Sequence, residues 1–188
     1  MRAIMLAVGL VFAATAPSWA ADRKIEDFYG RYLGQGTEMR VDPGAPIGRS
    51  GPAQKRMSEV IIEPAKGEDG FIISWSTLRS KKGNENVAEA DVKTYHETFL
   101  AAATPGIFND ISSSDPLKGG ATTWAHIHDN TLSIVSLQLD PSGGYFVTHY
   151  DRTLTPKGMD VHFTRIENSK IVRAVQLKLA KGDMPQRH

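Results

Sequence analysis

The sequence predicts an all-β protein whose strands close on themselves as an antiparallel up-and-down barrel of about eight to ten strands. Three observations lead there. Short segments of alternating apolar and polar residues recur through the second half roughly every twelve residues, each bounded by turn chemistry. No helical pattern is long enough to cover one face of a sheet, and a many-stranded meander with no cover escapes its edge problem by closing. The chain has no cysteine among its 188 residues, so packing alone must hold it.

The elements run in this order. Residues 1–20 read as a secretion signal: Arg2 gives a positive start, Ala3 to Ala16 is mostly apolar, and Ser18-Trp19-Ala20 places small residues where a signal peptidase reads them. Cleavage after Ala20 is expected, with the periplasm as destination. The apolar run is too short for a membrane span. Residues 21–182 form one β domain and 183–188 a polar tail. Lys24 to Phe28 suits a short helical turn, and Tyr29 to Met39 a first strand. Lys55 to Glu63 and Phe71 to Ser80 follow as strands, with turns at Pro64 to Gly70 and Lys81 to Asn86. Glu89 to Leu100 fits either a helical stripe through Val92, Tyr95 and Phe99 or a β-rich strand, and the strand reading extends the meander. Beyond it come Thr122 to His128, Leu132 to Leu139, Tyr145 to Leu154, Met159 to Glu167 and Ile171 to Ala180. That makes about nine strands. Two longer segments, Asp42 to Ala53 and Thr104 to Gly120, are rich in turn residues and read as loops at one end, like a lid.

Charge narrows the partners. The signal carries only Arg2, so the mature chain holds 21 basic and 21 acidic residues. Zero net charge gives no electrostatic reason for nucleic acid or an anionic membrane. The lack of cysteine removes thiol catalysis, thiolate zinc sites and iron–sulfur clusters.

Gly30-Arg31-Tyr32-Leu33-Gly34-Gln35-Gly36 resembles the G-x-W-x-G-x-G opening strand of the nitrobindin and fatty-acid-binding branch of the calycins, and more loosely the G-x-W of lipocalins. Tyr32 stands where those proteins usually have Trp. The resemblance implies a lipocalin-like barrel in which this aromatic plugs the closed end, the glycines sit where the strand bends, and Gly34 and Gly36 leave space inside. Nitrobindin-like barrels hold haem through a histidine near the C-terminus. Ile171 to Ala180 contains none, so no cofactor is expected, with His162 on the preceding strand as the remaining candidate for haem.

Turn lengths set the interior. A four-residue loop at Thr155 to Gly158 places Arg152 beside Val161, Tyr150 beside Phe163 and Thr148 beside Arg165. A three-residue loop at Asn168 to Lys170 pairs Glu167 with Ile171, Arg165 with Arg173, Phe163 with Val175 and Val161 with Leu177. The inner face then carries Phe146, Tyr150, Leu154, Met159, Val161, Phe163, Val175, Leu177 and Leu179, together with Arg152, Arg165 and Arg173. Buried cations need partners. An internal carboxylate such as Glu38 or Glu59 would make them structural; a bound carboxylate or phosphate would make them functional. The resemblance adds that fatty-acid-binding proteins hold a ligand carboxylate with interior arginines and a tyrosine, to which Arg165, Arg173 and Tyr150 are similar in kind.

The candidate ligand-binding residues are therefore Tyr150, Phe163, Arg165, Arg173, Arg152, Tyr32, Trp75 and Trp124, the inward parity of Trp124 depending on the loop after Leu139. No catalytic residue or metal ligand is expected. His126 and His128 share a strand face but need further ligands, and His162 beside Asp151 reads as a solvated outer pair. The expected function is a periplasmic carrier for a small lipophilic or aromatic ligand, acidic ones included. The alternatives are an envelope interaction module with a filled barrel, or an enzyme working in the interior.

Overall fold

The computed structural model describes residues 23–41, 51, 53–79 and 91–184. The segment expected to be a signal, 1–20, the turn expected at 81–86 and nearly all of the Asp42 to Ala53 segment lie outside them. Ten strands run in order: β1 (Gly30–Arg40), β2 (Gln54–Pro64), β3 (Gly70–Arg79), β4 (Asp91–Ala101), β5 (Ile107–Asp110), β6 (Ala121–His128), β7 (Thr131–Leu139), β8 (Tyr145–Thr155), β9 (Gly158–Glu167) and β10 (Lys170–Gly182). Each pairs antiparallel with its neighbours in sequence, and β1 also pairs with β10, so the sheet closes as an up-and-down barrel. The segment that fitted either helix or strand is a strand from Asp91 onward, as its β-branched and aromatic content favours.

One expectation about the loops is corrected. Thr104 to Gly120 is not a lid. It contains β5 and a 3-10 turn over Pro116–Lys118, capped by the Asp115 carboxylate, which accepts from the Leu117 amide at 2.9 Å. Flanking Pro105, Gly106 and the serine run hid a four-residue strand too short to show alternation. Its two inward residues, Phe108 and Asp110, are both buried.

Alternation along each strand separates inside from outside. One end is plugged. The 3-10 turn Ile25–Phe28 lies across it, and Phe28, Tyr32, Ile62, Phe71, Phe99 and Met159 are fully buried there. Phe71 stacks on Phe99 with centroids 4.9 Å apart and meets Phe108 edge-on at 5.2 Å. Each such ring stabilises the fold by roughly 1.5–3 kcal/mol through burial. The Tyr32 hydroxyl donates to the Phe28 carbonyl at 2.9 Å, tying the plug to the first strand.

Gly34 and Gly36 do not leave space inside. A Cβ at Gly34 would lie 2.0 Å from the Lys178 carbonyl oxygen, and one at Gly36 would lie 1.8 Å from that of Gln176. The glycines let the β10 backbone come closer to β1 than any side chain permits, which tightens the seam where first and last strands meet.

The expected pairings of β8 with β9 and of Arg165 with Arg173 are present, as are Phe163–Val175 and Val161–Leu177. The β9–β10 turn differs. Asn168 and Ser169 both take positive φ, 46° and 67°, so the loop has two residues and Glu167 pairs with Lys170. Such a turn matches the natural strand twist. A register shift between Ile171 and Arg173 then restores the expected parity. Asn168 Oδ1 accepts from the Tyr145 amide at 2.9 Å, holding the turn against β8.

Candidate functional site

Inward residues of β2, β3, β8, β9 and β10 enclose a cavity of about 40 Å³ in the middle of the barrel. Val60, Val161, Phe163, Val175 and Leu177 supply its apolar wall. Trp75 from β3 and Tyr150 from β8 reach towards each other with centroids 5.7 Å apart, so opposite walls nearly touch. Tyr150 also packs on Phe163 at 4.4 Å, and Trp75 stacks on Tyr95 at 5.2 Å. This aromatic band divides the cationic interior into two parts.

Towards the open end, Glu38 of β1 is 1% exposed and gathers three arginines. Arg40 Nε donates to Oε1 at 2.8 Å, and Arg56 Nε donates to Oε2. Arg173 Nη2 donates to Oε2 at 3.2 Å, while its Nε lies 3.0 Å from Oε1 but out of line for a hydrogen bond. Burial alone would raise the Glu38 pKa. Hydrogen bonds from Arg56 and Arg40, with the charge and hydrogen bond of Arg173, overcome it and hold the carboxyl at about 2.

Towards the plugged end, Arg152 is 1% exposed and its Nε and Nη1 have no hydrogen-bond partner. Its guanidinium lies 4.6 Å from the Tyr150 ring centroid and 5.8 Å from that of Trp75. Burial pulls its pKa down to about 10, against the pull of Tyr150, Glu97 and Asp151. Glu97 of β4 shares the inward parity of Phe99 and pairs with Ile73. Burial raises its pKa to about 7, with the negative charge of Asp110 adding and Arg152 opposing. Tyr150 is likewise raised by burial.

The eight residues expected from sequence are thus partly assembled. Trp75, Tyr150, Arg152, Phe163 and Arg173 line the cavity. Tyr32 is in the plug below it. Arg165 sits near the mouth over the Phe146 ring at 4.9 Å, its Nε donating to Glu167 at 2.8 Å. Trp124 is a correction: the loop after Leu139 has five residues, Leu139 pairs with Tyr145, and Trp124 pairs with Val135 on the outer face. Buried Thr123 and Ala125 carry the inward parity instead. The Arg165–Arg173 neighbours do not act as one anion clamp, because each has its own carboxylate. Glu38 provides one of those, as an internal carboxylate was expected to; Glu59 instead pairs with Arg31 on the outer face, Nε to Oε1 at 2.5 Å.

Asp151, expected beside His162, accepts from Ser133 Oγ at 2.5 Å and lies 3.0 Å from His149 Nε2. His128 Nε2 is 3.4 Å from Asp129. Sequence reasoning did not single out Arg56, Glu97 or Asp110. The parity that puts Ser58, Val60 and Ile62 inside also puts Arg56 there, and Phe99 marks Glu97 in the same way.

Fold and site together define a closed ten-stranded barrel with a small cationic interior. No protein-family model matches the chain, and no curated protein matches it. Among solved structures, the S-type phycobiliprotein lyase CPES from Guillardia theta is similar, with a TM-score of 0.39 and 10% identity over 86% of this chain and 92% of the lyase. That degree of likeness transfers no chemistry, so the functional reading rests on the site itself. No helix among the described residues is long and apolar enough to cross a membrane.

Proposed function

We propose that this is a secreted, periplasmic binding protein of the calycin type that holds a small organic acid inside its barrel, with the ligand carboxylate on Arg152. The observation that carries the reading is the pair of unpartnered N–H groups on a fully buried guanidinium at the cavity. An unpaired buried charge costs several kcal/mol, and a carboxylate relieves that cost through charge-assisted bonds in the planar geometry guanidinium favours. Arg56 and Arg173 differ in that their charges already face the Glu38 carboxylate. Trp75 and Tyr150 supply flat faces against which a small acid packs. The likeness of Gly30–Gly36 to calycin opening strands supports the same reading.

Volume bounds the ligand. One water needs about 10–15 Å³ of such space, so about 40 Å³ accommodates about three waters or the head group of an acid. A lipophilic or aromatic tail would extend towards the mouth and displace the Glu38 cluster. The small volume also favours a second reading, an interaction module whose barrel is filled and takes no ligand. Native mass spectrometry of protein isolated from its own compartment separates the two, since a retained acid is expected only of the carrier. Acetate, a probe of matching size, is titrated against Trp75 fluorescence in a Trp124→Phe background. Arg152→Met is expected to weaken acetate binding about 10- to 100-fold, from the roughly 1.5–3 kcal/mol of a hydrogen bond to a charged group. Equal binding by Arg152→Met, or none by the wild type, refutes the carrier reading.

A further inference from the structure

Opposite the unpartnered cation, the barrel wall carries two carboxyls that the binding reading does not use. Glu97 of β4 and Asp110 of β5 both point inward: Glu97 pairs with Ile73, and Asp110 pairs with Phe99, one inward position from Glu97. Residues so related across two strands are diagonal neighbours, close enough for their charges to repel. Both Asp110 oxygens accept hydrogen bonds from Ser112, Oδ1 from the amide at 3.1 Å and Oδ2 from the hydroxyl at 2.7 Å. Asp110 is thereby held as an acceptor, and Glu97 is the member of the pair free to carry a proton.

Across the interior Glu97 meets the field of Arg152 and the Tyr150 hydroxyl from β8. From β3 it meets only Ile73 and Trp75, which carry no charge. On its own strand the inward neighbours are Tyr95 and, nearer the mouth, exposed Lys93, whose ammonium lies 4.9 Å from the Tyr95 ring centroid. His96 points outward and hydrogen-bonds Ser74 at 2.7 Å. Glu97 therefore has one repelling partner, Asp110, and one attracting partner in the barrel's depth, Arg152. It makes no ion pair with Arg152, so their coupling acts through the low-dielectric interior. In the empty barrel the negative charge of Glu97 partly offsets the buried guanidinium. An acid anion on Arg152 takes over that role and adds a second repulsion.

We propose that binding of an acid anion at Arg152 is coupled to uptake of one proton by Glu97 beside Asp110, so the site fills in weakly acidic surroundings and releases its ligand in weakly alkaline ones. This rests on the anion-binding reading of Arg152 and adds its regulation. The proton passes from solvent to a Glu97 oxygen and no covalent bond of the ligand changes. The direction follows from linkage: ionised Glu97 opposes the anion, so affinity falls as pH rises past neutrality, where Glu97 titrates in the empty protein.

The test measures acetate affinity by Trp75 fluorescence between pH 6 and pH 8.5, a range in which acetate stays ionised. The wild type is expected to bind about tenfold more weakly at the alkaline end. Glu97→Gln is expected to bind at every pH as the wild type does at pH 6, and Asp110→Asn to shift the weakening to lower pH, because without the repelling charge of Asp110 Glu97 already ionises at lower pH. Calorimetry in buffers of different ionisation enthalpy is expected to record proton uptake near pH 8 for the wild type and none for Glu97→Gln. A flat wild-type profile, or a slope unchanged in Glu97→Gln, overturns the coupling while leaving Arg152 as an anion site. Acetate that fails to bind at any pH overturns the anion site and the coupling with it.

Discussion

Replacing Glu38 by Gln removes the one negative charge on which Arg40, Arg56 and Arg173 converge, and the structure sets how much that costs. In the folded protein the carboxyl sits at about 2 rather than its ordinary 4.5. At about 1.4 kcal/mol per pH unit, the ionised form contributes about 3 kcal/mol. The sign follows from the depressed value: the contribution is complete above about pH 4.5 and disappears as pH falls towards 2. Glutamine keeps the shape without the charge and leaves Arg56, 5% exposed, without a counter-ion. Breaking such a buried pair by removing one partner costs about 3–5 kcal/mol. Urea denaturation of wild type and Glu38→Gln at pH 7 is expected to differ by about 3 kcal/mol, and the gap is expected to close between pH 4.5 and pH 2. Arg56→Met combined with Glu38→Gln recovers part of the loss, because the stranded cation is gone. A difference below about 1 kcal/mol at pH 7, or one that persists unchanged at pH 2, refutes the view that this cluster holds the mouth together.

Further outcomes follow from the same structure. Arg152→Met is expected to leave stability unchanged or raise it by up to about 2 kcal/mol, since an apolar side chain of similar length replaces an unpaired buried charge; thermal melting checks it, and a large loss contradicts the unpartnered state. Glu97 has the opposite linkage from Glu38. Its raised value makes the folded protein hold the proton more tightly, so its effect is to lower stability as pH rises from 4.5 to about 7, by about 3 kcal/mol at most, and Glu97→Gln is expected to remove that component from the pH–stability curve. Tyr32→Phe leaves the Phe28 carbonyl without its hydroxyl donor and is expected to cost about 1–2 kcal/mol in urea denaturation. Gly36→Ala forces the β10 backbone away from β1 and is expected to cost about 1–3 kcal/mol.

Much of the fold was legible because alternation and turn residues carry the information that decides a meander. Leu154–Met159 and Arg165–Arg173 could be paired from loop lengths alone, and Asn168-Ser169 misled only by one residue that a bulge gave back. β5 escaped because four residues between Pro105-Gly106 and Ser112 carry too little alternation to stand out from a loop. The site was readable on β8 to β10, where register could be carried from turn to turn. It stopped at Trp124, whose side of the sheet depended on whether one loop held four residues or five. Glu97 was missed for a different reason: its chemistry arises from facing Arg152 across the barrel, a relation between β4 and β8 that no local spacing records.

The seam between β1 and β10 also determines when the molecule can become whole. Arg40 pairs with Arg173 and Arg31 with Gly182, so the first strand to be made waits for the last. Local hairpins from β2 to β9 can assemble as they emerge, but ring closure spans nearly the entire domain, and such non-local pairing is slow to form. Until then β1 offers one open edge and β9 another, the kind of surface on which chains stick to each other. A chain interrupted before Ile171 is left permanently in that state. The tight glycine seam thus acts as a late commitment step, making survival during synthesis depend on how quickly the C-terminal strand is delivered.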